Sequence, residues 1–372
     1  MLLGLRGFPG VQGGVESHAE NLCPILCTMG CRVEVIVRSS FVPRSLGSQW
    51  RGVRYIRVWA PKGKTSEAIV HSFLGVLVAA WRRPDILHIQ AIGPSIVAPV
   101  ARLFGLKVVV THHGPDYDRL KWGLLAKRVL RFGEALGMRF SHRRIAISRG
   151  IKHLIHEKYR MSAELIPNGT NLPLAPDTTT TLERLGLTPQ RYVLCVGRIV
   201  PEKRHGDLIV AFAAAGLSNW KLVIVGRADH PDKYSRGLDV LIAATPSVVA
   251  AGFQTGRALA ELYAHAGLFV LPSSHEGLPI ALLEALGYGI PVIASAIEAN
   301  LEVGLNDVNY FPVGDVPELK ERLQQFSRIS VTADERAQLR ALIEQRYNWQ
   351  SIAAQTHAVY ASICPAKAEI KK

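Results

Sequence analysis

The sequence has few cysteines and no apolar run long enough to cross a membrane. Five Cys in 372 residues are too few for a disulfide scaffold, which favours a reducing compartment over secretion. The longest apolar stretch, Ala68 to Trp81, is shorter than the roughly 20 residues that a bilayer requires, so a buried helix is expected there. The first ten residues lack the basic start and apolar core of a signal peptide, and a cytoplasmic protein is expected.

Acidic residues are scarce in the first half of the chain. The segment up to Asn171 holds 25 of the 44 Lys and Arg but only 10 of the 30 Asp and Glu, and it accounts for all of the net charge of +14. This half is therefore expected to meet something anionic. Nucleic acid, an anionic membrane face and phosphorylated substrates all fit the charge.

The pattern of the chain predicts an α/β protein of two domains, since 372 residues can bury two cores. Short apolar segments alternate with helix-length stretches, as in βαβ units on parallel sheets. The strands expected in the first half are 2–5, 33–37, 53–58, 86–89, 108–111, 145–147 and 164–166, and those in the second half are 192–196, 222–225, 248–251, 268–271 and 292–294. The helices expected in the first half are 15–28, 66–81, 95–104, 120–140 and 149–159.

A segment rich in proline, asparagine and threonine, Pro167 to Thr180, predicts the linker between the domains. The expected domains are 1–170 and 171–348, followed by a final helix in 349–372. The pattern leaves open which domain this helix packs on, and it can cross back to the first. Two doubly wound domains joined in this way would bind ligands in a cleft at the carboxyl ends of their strands.

The most informative segment is 272–285, Pro-Ser-Ser-His-Glu-Gly-Leu-Pro-Ile-Ala-Leu-Leu-Glu-Ala. It follows an expected strand, turns at Gly277 and opens a helix with Pro279 in the first turn. The N–H groups of such a turn favour an anion such as a diphosphate. Glu276 and Glu284 can then contact different parts of one extended ligand. For an isolated helix start, however, a capping charge at Glu276 and a solvated Glu284 are the simpler interpretation.

Basic and glycine-rich loops follow other expected strands. Arg198 and Lys203 lie five residues apart after the first strand of the second domain, where doubly wound folds bind phosphate, so both can reach one phosphate group. A solvated basic turn is the alternative. Gly13 and Gly14 would let a ligand approach the backbone closely, or simply form a loop with positive φ. Glu16 can cap the helix that follows.

Five segments, in this order, resemble the motifs of the retaining glycosyltransferases of family 4, whose fold is GT-B. They are the glycine-rich loop Gly7–Glu16, the His-bearing loop Thr111–Asp116, the interdomain turn Ile166–Gly169, the Arg/Lys loop Val196–Lys203 and the E-x7-E pair from Glu276 to Glu284.

The resemblance implies two Rossmann-like domains facing a central cleft, the first for the acceptor and the second for a nucleotide-sugar. It implies a retaining, metal-independent transferase of hexosyl type that uses no cofactor beyond this co-substrate. Glycan or lipid-linked acceptors in surface polysaccharide or glycoconjugate assembly, at the inner face of the plasma membrane, belong to the same expectation. Nucleic acid is not an expected partner.

The resemblance also assigns roles to residues. His113 would contact the transferred sugar, Glu276 would orient sugar hydroxyls and stabilise the positively charged ring, and Glu284 would accept hydrogen bonds from the ribose. The expected catalytic residues are Glu276, His113, Arg198 and Lys203. The expected donor-binding residues are Gly13, Gly14, Arg198, Lys203, Gly277, Leu278, Ile280 and Glu284.

Two patterns that resemble metal sites are interpreted as structural. Cys23, Cys27 and Cys31 recur every four residues, but no further ligand is near in sequence, so small buried side chains are expected. Asp116-Tyr117-Asp118 is a D-x-D triplet. Such triplets hold a metal in a different glycosyltransferase fold, and they also arise by chance. His112 is expected to be structural.

A basic stretch of the first domain suggests a membrane contact. Its cations surround Trp122, and its apolar residues have helical spacing, so the segment could lie on an anionic surface. A solvated helix face over a core stripe is the equal alternative. The basic residues are Arg119, Lys121, Lys127, Arg128 and Arg131, and the apolar ones are Leu120, Leu124, Leu125 and Leu130.

Two other functions would fit parts of the sequence. A nucleotide-sugar epimerase of the same fold would need the donor pocket and additional catalytic carboxylates. A non-enzymatic nucleic-acid-binding protein would explain the charge and would bind any polynucleotide in a salt-sensitive way. Neither explains all five matched segments.

Overall fold

The computed structural model describes residues 1–61, 63, 66–119, 123–170, 176–228, 231–329 and 331–364. The chain divides into two compact units. The first comprises Met1–Asn168 together with the segment that starts at Trp349, and the second comprises Gly169–Asn348.

The first unit is built on a sheet whose described strands lie in the order β3-β4-β2-β1-β5-β6-β7-β8. All neighbours are parallel except β3 and β4. The strands are β1 (Leu2–Leu3), β2 (Glu34–Arg38), β3 (Gln49–Trp50), β4 (Val53–Val58), β5 (Leu87–Gln90), β6 (Val108–His112), β7 (Arg143–Ala146) and β8 (Glu164–Leu165). The helices are α1 (Gly14–Thr28), α2 (Ser66–Arg82), α3 (Ala98–Leu103), α4 (Leu124–Phe140) and α5 (Arg149–Tyr159).

The second unit has an all-parallel sheet in the order β11-β10-β9-β12-β13-β14. Its strands are β9 (Tyr192–Val196), β10 (Lys221–Val225), β11 (Val248–Gly252), β12 (Leu268–Leu271), β13 (Val292–Ser295) and β14 (Tyr310–Phe311). Its helices are α6 (Thr180–Leu185), α7 (His205–Ala215), α8 (Lys233–Ala243), α9 (Gly256–Ala264), α10 (Ile280–Gly287), α11 (Glu298–Leu301), α12 (Val316–Phe326) and α13 (Ala333–Arg346).

The final helix, α14 (Trp349–Ile363), packs against α1 in the first unit. Trp349 and Ile352 belong to the same apolar core as Leu22 and Leu26 of α1. The chain therefore enters the second unit after Asn168 and returns at Trp349, which decides the packing that the sequence left open.

The strand orders fix where a ligand site can form. In each sheet the order reverses beside one central strand, between β1 and β5 in the first unit and between β9 and β12 in the second. Doubly wound sheets bind ligands at the carboxyl ends of the strands at such points. The first part of β6 is apolar at three consecutive residues, Val108, Val109 and Val110, because both faces of this strand are covered.

Some details differ from the sequence-based expectations. The helix expected at 68–81 is present as part of α2, but the prediction that it is buried is wrong. Leu77 is 54% exposed and Trp81 is 80% exposed. The first strand is limited to β1, since Gly4 adopts a positive φ of 108°. The short strands β3 and β14 were not expected. None of the described helices is long and apolar enough to span a bilayer.

Candidate active site

Two loops meet at the reversal point of the second unit, one after β9 and one after β12. The backbone N–H of Ser274 donates to the carbonyl of Glu202 at 2.8 Å. The Lys203 side chain, which leaves a short 3-10 turn, places Nζ 2.5 Å from Oε1 of Glu276. Both side chains are largely buried. Two residues from different motifs therefore form one ion pair. Lys203 is not part of a solvated turn, and the Glu276 carboxylate binds Lys203 instead of serving only as a helix cap.

The loops after β9 and β10 touch through two glycines. A Cβ on Gly226 would lie 1.8 Å from the carbonyl oxygen of Gly197, and Gly226 has a φ of 148°. Only glycine permits this approach. Sequence reasoning missed Gly226, although a glycine directly after an apolar strand is the signal that would have indicated it.

The other matched cation of this unit, Arg198, lies in the same turn after β9 and is half-buried. The next residue, Ile199, donates its N–H to the carbonyl of Arg227 at 3.1 Å. The Arg227 guanidinium lies 5.0 Å from the ring centroid of Phe253, which follows β11. Three neighbouring strands thus contribute cationic or aromatic groups to one edge of the sheet.

Helix α10 begins one residue later than the sequence indicated. The expected first-turn position of Pro279 is wrong, because the helix starts at Ile280 and Pro279 precedes it with a ψ of 98°. Its carbonyl accepts the N–H groups of Leu282 and Leu283, whereas its ring nitrogen has no hydrogen to donate. Leu278 is buried beneath the helix start, and Gly277 is half-buried.

Glu284 lies inside α10 and is held by a residue that the sequence did not indicate. The Tyr263 hydroxyl donates to its Oε2 at 2.9 Å. Burial raises the pKa of Glu284 to about 7, although the hydrogen bond from Tyr263 acts in the opposite direction. The ring of Tyr288 stacks on Tyr263 with centroids 5.3 Å apart. No periodicity or motif of α9 points to Tyr263.

A cavity of about 600 Å³ opens on the second unit between the start of α7 and α8. The predicted donor-binding residues do not line it, so volume alone does not locate the site. Its lining consists of Pro201, Gly206, Asp232, Lys233, Tyr234, Gly237, Leu238 and Leu241.

In the first unit, the glycine-rich loop leads from β1 into α1. Gly13 has a φ of 154°, and a Cβ there would lie 2.0 Å from Oε2 of Glu16. Arg6 holds the Glu16 carboxylate through its backbone N–H at 3.2 Å and its Nε at 3.1 Å. No atom lies within 4 Å of a Cβ on Gly14. The backbone thus requires glycine at position 13 but not at 14.

His113 follows β6, one strand away from the reversal point of the first sheet, and is half-buried. Its Nε2–H donates to Oε1 of Gln90 at 2.7 Å, and its ring lies edge-on to His18 with centroids 5.1 Å apart. Burial and the neighbouring histidines hold the pKa of His113 well below its usual range. The neutral ring protonated at Nε2 leaves Nδ1 as a hydrogen-bond acceptor. Sequence reasoning missed Gln90, a polar side chain at the end of an apolar strand.

The adjacent His112 belongs to a buried network centred on Glu134 of α4. His112 Nε2 lies 2.8 Å from Glu134 Oε1, and the hydroxyls of Tyr117 and Tyr159 donate to the same carboxylate, as does Lys158. Burial alone would raise the pKa of Glu134, but the hydrogen bonds from His112, Lys158 and Tyr159 lower it to about 2. His112 also accepts the N–H of Gly114 at 3.1 Å, which fixes the loop that carries His113.

The two patterns that resemble metal sites form no such cluster. Among the described residues, no three His, Cys, Asp or Glu side chains are grouped in a way that could hold a metal ion. Cys23 is buried, and Cys27 and Cys31 pack partly buried against the same core. Asp116 forms an ion pair with Arg119 at 2.8 Å.

Two family models match the chain in the order of its two units. Residues 12–173 match the model described as Glycosyltransferase Family 4. Residues 178–348 match the model described as Glycosyl transferases group 1.

Individual relatives extend the similarity to nearly the whole chain. The phosphatidyl-myo-inositol mannosyltransferase of Mycobacterium leprae is 26% identical over 384 residues, which cover 97% of this chain and 96% of that protein. The UDP-Gal:alpha-D-GlcNAc-diphosphoundecaprenol alpha-1,3-galactosyltransferase of Escherichia coli is 29% identical over 61% of this chain and 64% of its own length. The structure of Anabaena HepE in complex with UDP-glucose is similar in fold, with a TM-score of 0.79 and 20% identity over 97% of this chain and 98% of that one.

Proposed function

The chain belongs to the group 1, family 4 glycosyltransferases and has their GT-B fold, and we propose that it transfers a hexose from a nucleotide-sugar to a lipid-linked glycan acceptor with retention of configuration. The donor class is supported by HepE, whose structure holds UDP-glucose. The acceptor class is supported by the two relatives, whose names specify phosphatidyl-myo-inositol and a diphosphoundecaprenol-linked sugar. Assembly of surface polysaccharide or glycoconjugate at the inner face of the plasma membrane follows from that acceptor class.

The observation that carries the proposal is the Lys203–Glu276 ion pair at the reversal point of the second sheet. When the bond between sugar and diphosphate breaks, negative charge develops on the diphosphate. Fixed cations and helix N–H groups at Arg198, Lys203 and the start of α10 would stabilise that charge. Glu276 holds Lys203 in place, and its carboxylate would orient the hydroxyls of the sugar.

Retention follows if the diphosphate leaves from the face that the acceptor attacks. The C1–O bond to the diphosphate breaks, the acceptor oxygen bonds to C1 on the same face, and the acceptor proton passes to a diphosphate oxygen. We assign Glu276 to the stabilisation of the positively charged ring. No metal ion is required in this scheme, since the protein cations take the leaving-group charge.

The remaining predicted residues have complementary roles in the proposal. The Glu284 carboxylate, oriented by Tyr263, would accept hydrogen bonds from the ribose, and Gly277, Leu278 and Ile280 would line the sugar and phosphates through their backbone. In the first unit, the neutral His113 would accept a hydrogen bond from a sugar hydroxyl at Nδ1, because its Nε2–H already donates to Gln90. The backbone of the glycine-rich loop would lie close to the donor at Gly13 and Gly14.

We also propose that α4 contacts an anionic membrane, which brings the enzyme to its lipid-linked acceptor. Leu124 and Leu125 are 81% and 75% exposed, so they do not form the core stripe of the alternative interpretation. Lys127 and Arg128 follow on the same helix and can bind anionic headgroups. The predicted Leu120, Lys121 and Trp122 lie outside the described residues.

Thermal unfolding with UDP, GDP, dTDP and ADP at equal concentration tests the donor site. Saturation at a hundredfold excess over Kd stabilises the folded state by about 2.7 kcal/mol. We expect one nucleotide to raise Tm, and the Arg198→Ala and Lys203→Ala variants to lose that shift. If no nucleotide raises Tm and no nucleotide-sugar is consumed, the proposal is wrong. Salt-sensitive binding of any polynucleotide would then support the nucleic-acid alternative.

Two further measurements test the finer parts. The anomeric configuration of the product, read by NMR from donors of known configuration, decides retention.

Sedimentation with phosphatidylglycerol vesicles, compared with phosphatidylcholine vesicles, tests the membrane contact. Leu124→Ser with Leu125→Ser should abolish it, whereas Val240→Ser, an exposed apolar residue of the second unit, should not. Equal sedimentation of all variants would contradict the membrane contact.

A further inference from the structure

His18 occupies an unusual position that no sequence motif assigned. It lies in the second turn of α1, directly after the glycine-rich loop, and it is 3% exposed. Its ring lies edge-on to the ring of His113, with centroids 5.1 Å apart and planes at 78°. His18 is therefore a fixed neighbour of the residue for which a role in sugar binding is proposed.

The other contacts of His18 are with the two residues at which the chain passes between its units. Nδ1 lies 3.0 Å from Oδ1 of Asn168, the last residue of the first segment. The indole of Trp349, the first residue after the return, lies edge-on at 5.4 Å between centroids. One buried imidazole thus contacts both crossover residues and His113.

We propose that His18 is a positioning residue, which fixes the His113 ring relative to Asn168 and Trp349. The inference deepens the proposed function and rests on the role given there to His113. The ring of His113 is held at one atom, Nε2, by its hydrogen bond to Gln90. The T-shaped contact with His18 supplies a second constraint, because an aromatic edge-to-face pair has a preferred geometry that a point contact lacks.

The electrostatics of the pair agree with this role. Burial lowers the pKa of His18 to about 4, and burial also lowers that of His113. Both rings are therefore neutral at pH 7, so that they can pack closely without mutual repulsion. A neutral His18 with its hydrogen on Nδ1 donates to the Asn168 amide oxygen, which fixes its own orientation.

The test replaces the ring while keeping the side-chain volume. His18→Leu should lower kcat for sugar transfer on the order of 10- to 100-fold, because small misplacements of a substrate-contacting group cost that much. The KM for the nucleotide-sugar and the Kd for the free nucleotide should change less than twofold. His18→Phe retains an aromatic edge and should recover most of kcat. Leu22→Ala, one turn along the same helix and buried, is the control that lowers Tm without changing kcat.

A double-mutant comparison separates positioning from general stability. In a His113→Ala background, His18→Leu should have little further effect on kcat. An equal loss in both backgrounds, or a loss with Leu22→Ala as large as with His18→Leu, overturns the proposal.

Imidazole NMR keeps this inference separate from the proposed function. If the wild type transfers no sugar, the proposed function fails, and the ring signals of His113 still report its position. His18→Leu should shift the imidazole nitrogen signals, which report the hydrogen bond to Gln90 and depend little on the ring current of the residue removed, whereas Leu22→Ala should leave them in place. Unchanged His113 signals in a folded His18→Leu protein contradict the inference.

Discussion

The Tyr263 hydroxyl lies 2.9 Å from Oε2 of Glu284, and the two residues come from neighbouring helices, α9 and α10. Burial disfavours the ionised form of the Glu284 carboxyl, whereas the hydrogen bond from Tyr263 stabilises that form. The effect of burial is the larger of the two. The pKa of about 7 means that the carboxyl changes protonation within the physiological range. This residue therefore links the stability of the second unit to pH.

Glu284→Gln should make stability less dependent on pH. The folded-state pKa is raised above the unfolded value of 4.5, so between pH 4.5 and 7 the folded state retains a proton that the unfolded state has lost. Wild-type stability consequently falls as pH rises through this window. The variant lacks this penalty, so the difference in unfolding free energy between variant and wild type should be more favourable to the variant at pH 8 than at pH 4.5, by on the order of 3 kcal/mol. Urea unfolding at both pH values measures it, and an advantage that shrinks with pH contradicts it.

The Lys203–Glu276 pair should show energetic coupling. Lys203→Met leaves the Glu276 carboxylate without its cation, and Glu276→Gln leaves the ammonium without its anion. Each change should destabilise the second unit, whereas the double variant should cost less than the sum of the two. For contacting partners a coupling of about 1–3 kcal/mol is expected, measured by urea unfolding. Strict additivity would show that the pair contributes no coupling in solution.

Glu134→Gln should destabilise the first unit strongly. The side chain is fully buried and accepts hydrogen bonds from His112, Lys158 and Tyr159. Loss of a buried carboxylate from a charged network costs about 3 kcal/mol or more. Because the folded pKa is about 2, this contribution is present in full above pH 4.5 and declines as pH falls toward 2. The difference in unfolding free energy between wild type and variant should decline in the same window, and a difference that grows on acidification would refute this account.

The two glycines of the first loop should respond differently to alanine. Gly13→Ala places a methyl group 2.0 Å from the Glu16 carboxylate at a φ of 154°, and such strain costs about 1–3 kcal/mol. Gly14→Ala has open space around it and lies at the start of α1. It should be neutral or stabilising by up to about 1 kcal/mol. Thermal unfolding of both proteins distinguishes them, and equal Tm values would contradict the backbone argument.

Much of the fold was predictable because its elements follow local patterns. β4, β9 and β12 have the bounds that their apolar runs predicted, as does α5, which begins after the capping Ser148. The short strands β3 and β14 have two residues each and give no periodic signal. The exposure of α2 could not be read from its composition, because burial depends on what packs against a helix and not on its hydrophobicity alone.

The candidate site was predictable only through its motifs. Glycine loops, the Arg/Lys turn and the E-x7-E pair are contiguous in sequence, so their presence could be recognised residue by residue. Tyr263, Gln90 and His18 have no such local signature. Each is a single polar side chain within an otherwise apolar or helical pattern, which most often indicates only a satisfied core position.

The sequence by itself determined the α/β class, the two-unit plan and the residues that follow each central strand, because apolar periodicity and glycine placement act over a few neighbouring residues. Tertiary structure alone decided the partners of those residues. Lys203 and Glu276 are 73 positions apart and His18 and Asn168 are 150 apart. Such pairs form only when the strand order brings segments that are distant in sequence to the same edge of a sheet. The free energy that stabilises this order comes from the packing of the two whole cores.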